Sequence, residues 1–257
     1  MCDAYRQPVR PFGSPSDVSS ADQAGHDRRR FVERCLGAAA AAVAGHTAWH
    51  SEQHALAQSA SPTDLSVQSP ADALAALYAG NRRFVAGQPL AAHRDIERVK
   101  AVADKQTPFA AFLGCADSRV PIEIIFDQGF GDLFVTRIAG NVASSENIGS
   151  LEFGTLVLGA KILYVLGHTA CGAVIATARG AEVPGQISGL FQHIRPAVKA
   201  AQGDIEKAVR ENVRNQAQVL AESSPVIAKL IRQQELIVAG GVYDLASGVV
   251  TPVEVGL

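Results

Sequence analysis

Four short runs stand out along the chain because they are apolar with little alternation: Phe109–Gly114, Leu133–Arg137, Ile162–Gly167 and Glu235–Ala239. Strands buried on both faces of a parallel sheet have this pattern. The stretches between them are longer and amphipathic, as in Asn147–Leu158 and Gln186–Leu220, and predict helices. Upstream, Leu74, Leu77, Tyr78 and Phe84 recur at helical spacing. Ser69 is placed to cap that helix, Pro70 suits its first turn, and Asp72 favours the positive end of its dipole. Gly87-Gln88-Pro89 stops it, and a more charged helix is predicted over Asp95–Asp104. Val249–Val255 reads as a terminal edge strand. Strands alternating with helices predict an α/β fold, a mostly parallel β-sheet wound on both faces by helices. In such sheets ligands gather beyond the carboxyl ends of the strands.

The first quarter of the chain breaks this pattern. Residues 1–27 are polar and rich in Ser, Pro, Asp and Gln, a composition that predicts disorder. Arg28-Arg29-Arg30-Phe31-Val32 follows, then Cys35-Leu36-Gly37 and an alanine run, then Ala55-Leu56-Ala57. Charged segment, weakly apolar segment and small-x-small site occur in the order of an export signal, and the arginines resemble a twin-arginine one. The expected organisation is a signal peptide over 1–57 with a disordered start, a linker over 58–69, and one domain over 70–257. The expected location is the periplasm or another exported site, after cleavage near Ala57. A formal net charge of −2 leaves no basic footprint, so nucleic acid is not an expected partner. No run approaches the roughly 18–20 apolar residues of a membrane span.

The candidate chemistry lies at two of the strand ends. Cys115-Ala116-Asp117-Ser118-Arg119 follows the first apolar run, and His168-Thr169-Ala170-Cys171 follows the third. Neighbouring strands would bring both groups to one ion. Two thiolates and one imidazole suit a tetrahedral Zn2+ with an open fourth position, the mark of a catalytic rather than a structural site. Removing 1–57 also removes Cys2 and Cys35, which leaves Cys115 and Cys171 as the remaining cysteines. No thiol is then spare in an oxidising compartment.

Cys-x-Asp-x-Arg followed by His-x-x-Cys resembles the β-class carbonic anhydrases. The similarity extends from about Ser69 to the C-terminus and includes Ala76–Phe84, Gly131–Arg137 and Gly240–Leu245. It implies reversible hydration of carbon dioxide to bicarbonate and a proton by a zinc-bound hydroxide. Zinc would be held by Cys115, His168 and Cys171, with Asp117 paired to Arg119 as the catalytic second layer. By position, Gln106, Phe134, Ala139 and Phe153 match the family's substrate side. The resemblance also implies a homodimer or homotetramer whose N-terminal helices pack on a dimer partner, and Gln106, Phe134 and Phe153 contributed across the interface. Those three also suit a loop glutamine and ordinary core aromatics. Where some relatives carry a tryptophan three residues before the first cysteine, this chain has Phe112, which offers no N–H to an anion; the expected state keeps Asp117 on Arg119. Two other readings stand: a hydrolase of the same scaffold acting on carbonyl sulfide or carbon disulfide, and a non-catalytic zinc-binding domain.

Overall fold

The computed structural model describes residues 67–257. The proposed leader, its arginines and its cleavage site lie outside the described residues. Helix α1 (Pro70–Val85) begins at the predicted place. Ser69 accepts a hydrogen bond from the Asp72 N–H at 3.2 Å, and Asp72 Oδ2 accepts one in return from the Ser69 N–H at 3.0 Å. This reciprocal capping box uses Asp72 more fully than its charge alone suggested. Helix α2 (Ile96–Ala101) is shorter than the predicted Asp95–Asp104; Asp95 spends its side chain as the N-cap.

Strand β1 (Ala110–Gly114) leads into a short helix α3 (Ile122–Ile125) and then β2 (Leu133–Arg137). A 3-10 turn follows at Ala139–Asn141, then α4 (Ser145–Glu152), which passes into a π-turn at Phe153–Val157. Strand β3 (Ile162–His168) precedes α5 (Gly172–Ala178). The predicted helix over Gln186–Leu220 is two: α6 (Ile187–Ala201) and α7 (Ile205–Ser223). Gln202 and Gly203 break it with positive φ, and Asp204 caps the second piece. Ser224 caps a further helix, α8 (Pro225–Arg232), before β4 (Ile237–Tyr243) and β5 (Val250–Val253).

The sheet runs β2-β1-β3-β4-β5. Its first four strands are parallel, and β5 closes the edge antiparallel to β4. Successive side chains of β1 and β3 enter two cores. Ala111, Leu113, Leu163 and Val165 face the side of α6, α7 and α8. Ala110, Phe112, Ile162 and Tyr164 face the side of α1 and α3. Burying each large side chain contributes roughly 1.5–3 kcal/mol, which is why these strands read as apolar throughout.

Strand β4 starts later and ends later than the predicted Glu235–Ala239. Gly240 and Gly241, beyond the predicted end, lie inside the strand, where the packing leaves no room for a side chain. A Cβ at Gly241 would collide with the Tyr164 hydroxyl, and one at Gly240 would press on Val213. Extending β4 to Tyr243 brings it level with His168 at the end of β3.

Candidate active site

The parallel register decides what meets at the top of the sheet. Gly114 stands opposite Leu166, so Cys115 leaves β1 beside Gly167 and one residue short of His168. Ala170 then takes a left-handed conformation, φ 52°, and turns the chain so that Cys171 becomes the N-cap of α5. The sulfur atoms of Cys115 and Cys171 and an imidazole nitrogen of His168 lie within 4.8 Å of one another. All three side chains are buried.

The donor set fits a soft divalent cation. His168 Nδ1 lies 2.9 Å from the Thr169 carbonyl oxygen. A carbonyl only accepts, so Nδ1 carries the proton and Nε2 presents its lone pair. That Nε2 is buried and has no hydrogen-bond partner among the described residues. An orphaned lone pair is costly unless something occupies it, and a divalent cation at this point would do so. The two thiols face each other and share their protons unequally. Contact with the Cys171 thiol draws Cys115 well below the usual thiol range, against its burial. The Cys115 thiolate in turn pushes Cys171 far up, although the first N–H groups of α5 at Ala173 and Val174 pull the other way. Two thiolates this close repel each other, so the second is favoured only with a cation between them.

Asp117 and Arg119 form a closed pair beside the cluster. Arg119 Nε donates to Asp117 Oδ1 at 2.9 Å, Nη2 donates to Oδ2 at 2.7 Å, and the Arg119 backbone N–H donates to Oδ1 at 2.9 Å. These bonds hold the Asp117 carboxyl well below the usual carboxylate range, so it is ionised. Oδ2 lies 3.8 Å from His168 Nε2. Oδ1 accepts two N–H groups and Oδ2 only one, so Oδ2 keeps accepting capacity on the metal side.

Several residues that sequence reasoning missed hold this arrangement. Arg137, at the end of β2, donates from Nε to the Cys115 carbonyl at 2.9 Å and from Nη2 to the Asp117 carbonyl at 2.6 Å. A cation at the carboxyl end of a strand next to the cysteine strand was the available signal. Gly140, in the 3-10 turn, donates its N–H to Cys115 Sγ at 3.4 Å. Asn212 and Gln216 of α7 are buried amides, the first bonded to the carbonyl of Gly140 in that turn and the second to the N–H of Ala143 just after it. Their signal was a pair of amides inside the apolar stripe of Val209, Val213, Ala217 and Leu220.

The proposed substrate-side residues divide. Ala139 adjoins Gly140 and so sits near Cys115. Phe134 is opposite Ala111, four residues back along the sheet from Cys115, or roughly 13 Å at the rise of a strand. Gln106 is exposed in the loop entering β1, at the far end of that strand. Phe153 opens the π-turn, is 47% exposed, and packs on Phe134 with ring centroids 6.3 Å apart. Within one chain, then, Gln106, Phe134 and Phe153 do not join the cluster.

Comparison with known proteins places this geometry in context. Residues 110–250 match the family model for carbonic anhydrase. Over 188 residues the chain is 38% identical to a carbonic anhydrase of Mycolicibacterium smegmatis, covering 70% of this chain and 91% of that one. A β-carbonic anhydrase structure from Aspergillus fumigatus superposes with a TM-score of 0.57 at 27% identity, over 63% of this chain and 82% of that one. A Coccomyxa β-carbonic anhydrase in complex with acetazolamide superposes with a TM-score of 0.54 at 29% identity, over 60% and 75% respectively.

Proposed function

The chain belongs to the β-class carbonic anhydrases and is a zinc-dependent carbonate dehydratase, and from that premise we propose how its own residues carry the hydration of carbon dioxide. The observation that carries the reading is the buried trio Cys115, His168 and Cys171, with the lone pair of His168 Nε2 unclaimed and an ionised Asp117 beside it. Zinc held by this trio supplies Lewis acidity that brings the ionisation of water close to neutral pH. Two thiolates offset its charge, and Thr169 fixes the imidazole tautomer that can ligate.

Asp117 acts next to the reacting atoms. Its Oδ2 accepts a hydrogen bond from the attacking oxygen and so turns a lone pair toward the carbon of carbon dioxide. Arg119 keeps Asp117 ionised and at a fixed angle through its paired N–H groups. Arg137 braces the loop on which both stand, by bonding the carbonyls of Cys115 and Asp117.

Gln106, Phe134 and Phe153 of a second copy complete the substrate pocket, together with Ala139 of the first. The separation of these three from the cluster within one chain supports this. So does the character of β2: it is the edge strand of the parallel set, half-exposed along its length, and Phe153, Leu156 and Val157 expose apolar surface nearby. An exposed apolar edge is normally covered. The working unit is therefore a homodimer or a multiple of one. The precursor is exported by its Arg28-Arg29-Arg30 signal and cleaved near Ala57.

Stopped-flow hydration of carbon dioxide, followed with a pH indicator on zinc-loaded protein of known metal content, tests the reading. Turnover that scales with bound zinc is expected. Full metal occupancy without hydration activity would overturn it.

A further inference from the structure

We infer that Asn212, oriented by Gln216, is a positioning residue for the metal centre: it holds the Gly140 turn so that the Gly140 N–H stays on Cys115 Sγ. The inference rests on the reading that Cys115, His168 and Cys171 hold zinc.

The two amides lie one turn apart on α7, and both are nearly inaccessible to solvent, at 1% for Asn212 and 2% for Gln216. Buried amides on an otherwise apolar helix face are costly unless every polar atom is matched. Here the matching is complete and fixes both orientations. The Ala143 N–H donates to Gln216 Oε1 at 2.8 Å, so that atom must be the oxygen. Gln216 Nε2 then donates to the His193 carbonyl at 3.1 Å and to Asn212 Oδ1 at 3.1 Å. Asn212 is left with its Nδ2 toward the Gly140 carbonyl, to which it donates at 2.8 Å. Each end of this relay is a backbone group that can play only one part, so neither amide can flip without breaking a bond.

The position it holds is one that needs holding. Gly140 has φ 74° and ψ 14°. No side chain fits there, because a Cβ would come within 2.7 Å of Ile194 Cδ1 and 3.2 Å of Ala173 Cβ. Glycine is the residue freest to leave such a conformation. Its N–H is the donor to Cys115 Sγ, and its carbonyl is the acceptor for Asn212. A carbonyl fixed on α7 anchors the peptide unit that follows Gly140 and so restrains, through the φ and ψ of Gly140, the preceding unit that carries the N–H. That N–H shares the negative charge of the sulfur and so lowers the electron density Cys115 gives a metal.

Asn212→Leu, similar in volume but unable to donate, is the test. The protein is loaded with cobalt in place of zinc, and the sulfur-to-cobalt charge-transfer band is recorded in the near ultraviolet. A thiolate that has lost a hydrogen-bond donor gives its electrons more easily, so the band should move to lower energy. Val213→Ala is the control. It loosens the same helix against the sheet, where Val213 is fully buried, without touching the relay. It should leave the band in place. A band unmoved in Asn212→Leu, or moved equally in both variants, overturns the inference. Should Asn212→Leu fail to fold, cadmium-loaded wild-type protein decides: scalar coupling between 113Cd and the Gly140 amide proton is expected across the N–H···S bond, and its absence overturns the inference. A wild-type protein that binds no metal at all fails the functional reading instead, a separate outcome.

Discussion

Replacing Asp117 by asparagine is the sharpest perturbation of this site, because it keeps the shape and removes only the charge. Asp117 takes three N–H groups, all from Arg119. Oδ1 accepts two of them, at 2.9 Å each, and Oδ2 accepts one. An asparagine keeps most of these bonds by placing its carbonyl oxygen at Oδ1 and its NH2 at Oδ2. That choice puts two donors face to face, the new NH2 and Arg119 Nη2. It also turns the group beside His168 Nε2, 3.8 Å away, from an acceptor into a donor. The attacking oxygen then meets an N–H where its proton should be received. Loss of one charge-assisted hydrogen bond costs about 1.5–3 kcal/mol. If that loss is felt fully in the transition state, at 1.36 kcal/mol per tenfold, turnover falls by roughly 10- to 150-fold. Zinc should stay, because Asp117 is not one of the three clustered ligands. Hydration kinetics at constant zinc occupancy measure it, with the metal determined on the same sample. Turnover within a factor of two of wild type would refute the role of Asp117 Oδ2. Loss of zinc would show instead that the carboxylate holds the centre together.

Cys171→Ser should lose zinc and activity together, from one ion per chain to nearly none by metal analysis, since a hydroxyl is a poor substitute for a thiolate; a fully loaded serine variant would contradict the ligand set. Mixing Cys115→Ser chains with Gln106→Ala chains, each poorly active alone, should recover activity in the hybrid dimers if one copy supplies Gln106 to the other's metal. Mixtures no better than their parents would place Gln106 outside the site. Arg28, Arg29 and Arg30, all changed to Lys, should leave uncleaved precursor in the cytoplasm, seen by fractionation and immunoblotting. Mature protein starting near Gln58 outside the cytoplasm would show that the signal is not of the twin-arginine kind.

The trio Cys115, His168 and Cys171 was legible in the linear sequence because its chemistry is local. A thiol directly after an apolar strand, and an imidazole and thiol three residues apart after another, need only adjacent parallel strands to meet. All five strands and the start of α1 were readable for the same reason, since β burial and helix capping act over a few neighbouring residues. Asp117 and Arg119 are two residues apart and pair without help from the rest of the fold. The break at Gln202 and Gly203 was not read, because the helical pattern continues on either side of it. What only the tertiary structure decided depends on contacts across long separations. Gly240 and Gly241 continue β4 rather than end it, because Tyr164 and Val213 occupy the space their side chains would need. Arg137 reaches the Cys115 carbonyl because β2 happens to be the neighbour of β1. Asn212 and Gln216 interrupt an apolar stripe, and their partners are backbone groups some seventy residues away in sequence. A buried polar atom declares its purpose only when its partner is in place, and no local pattern carries that information.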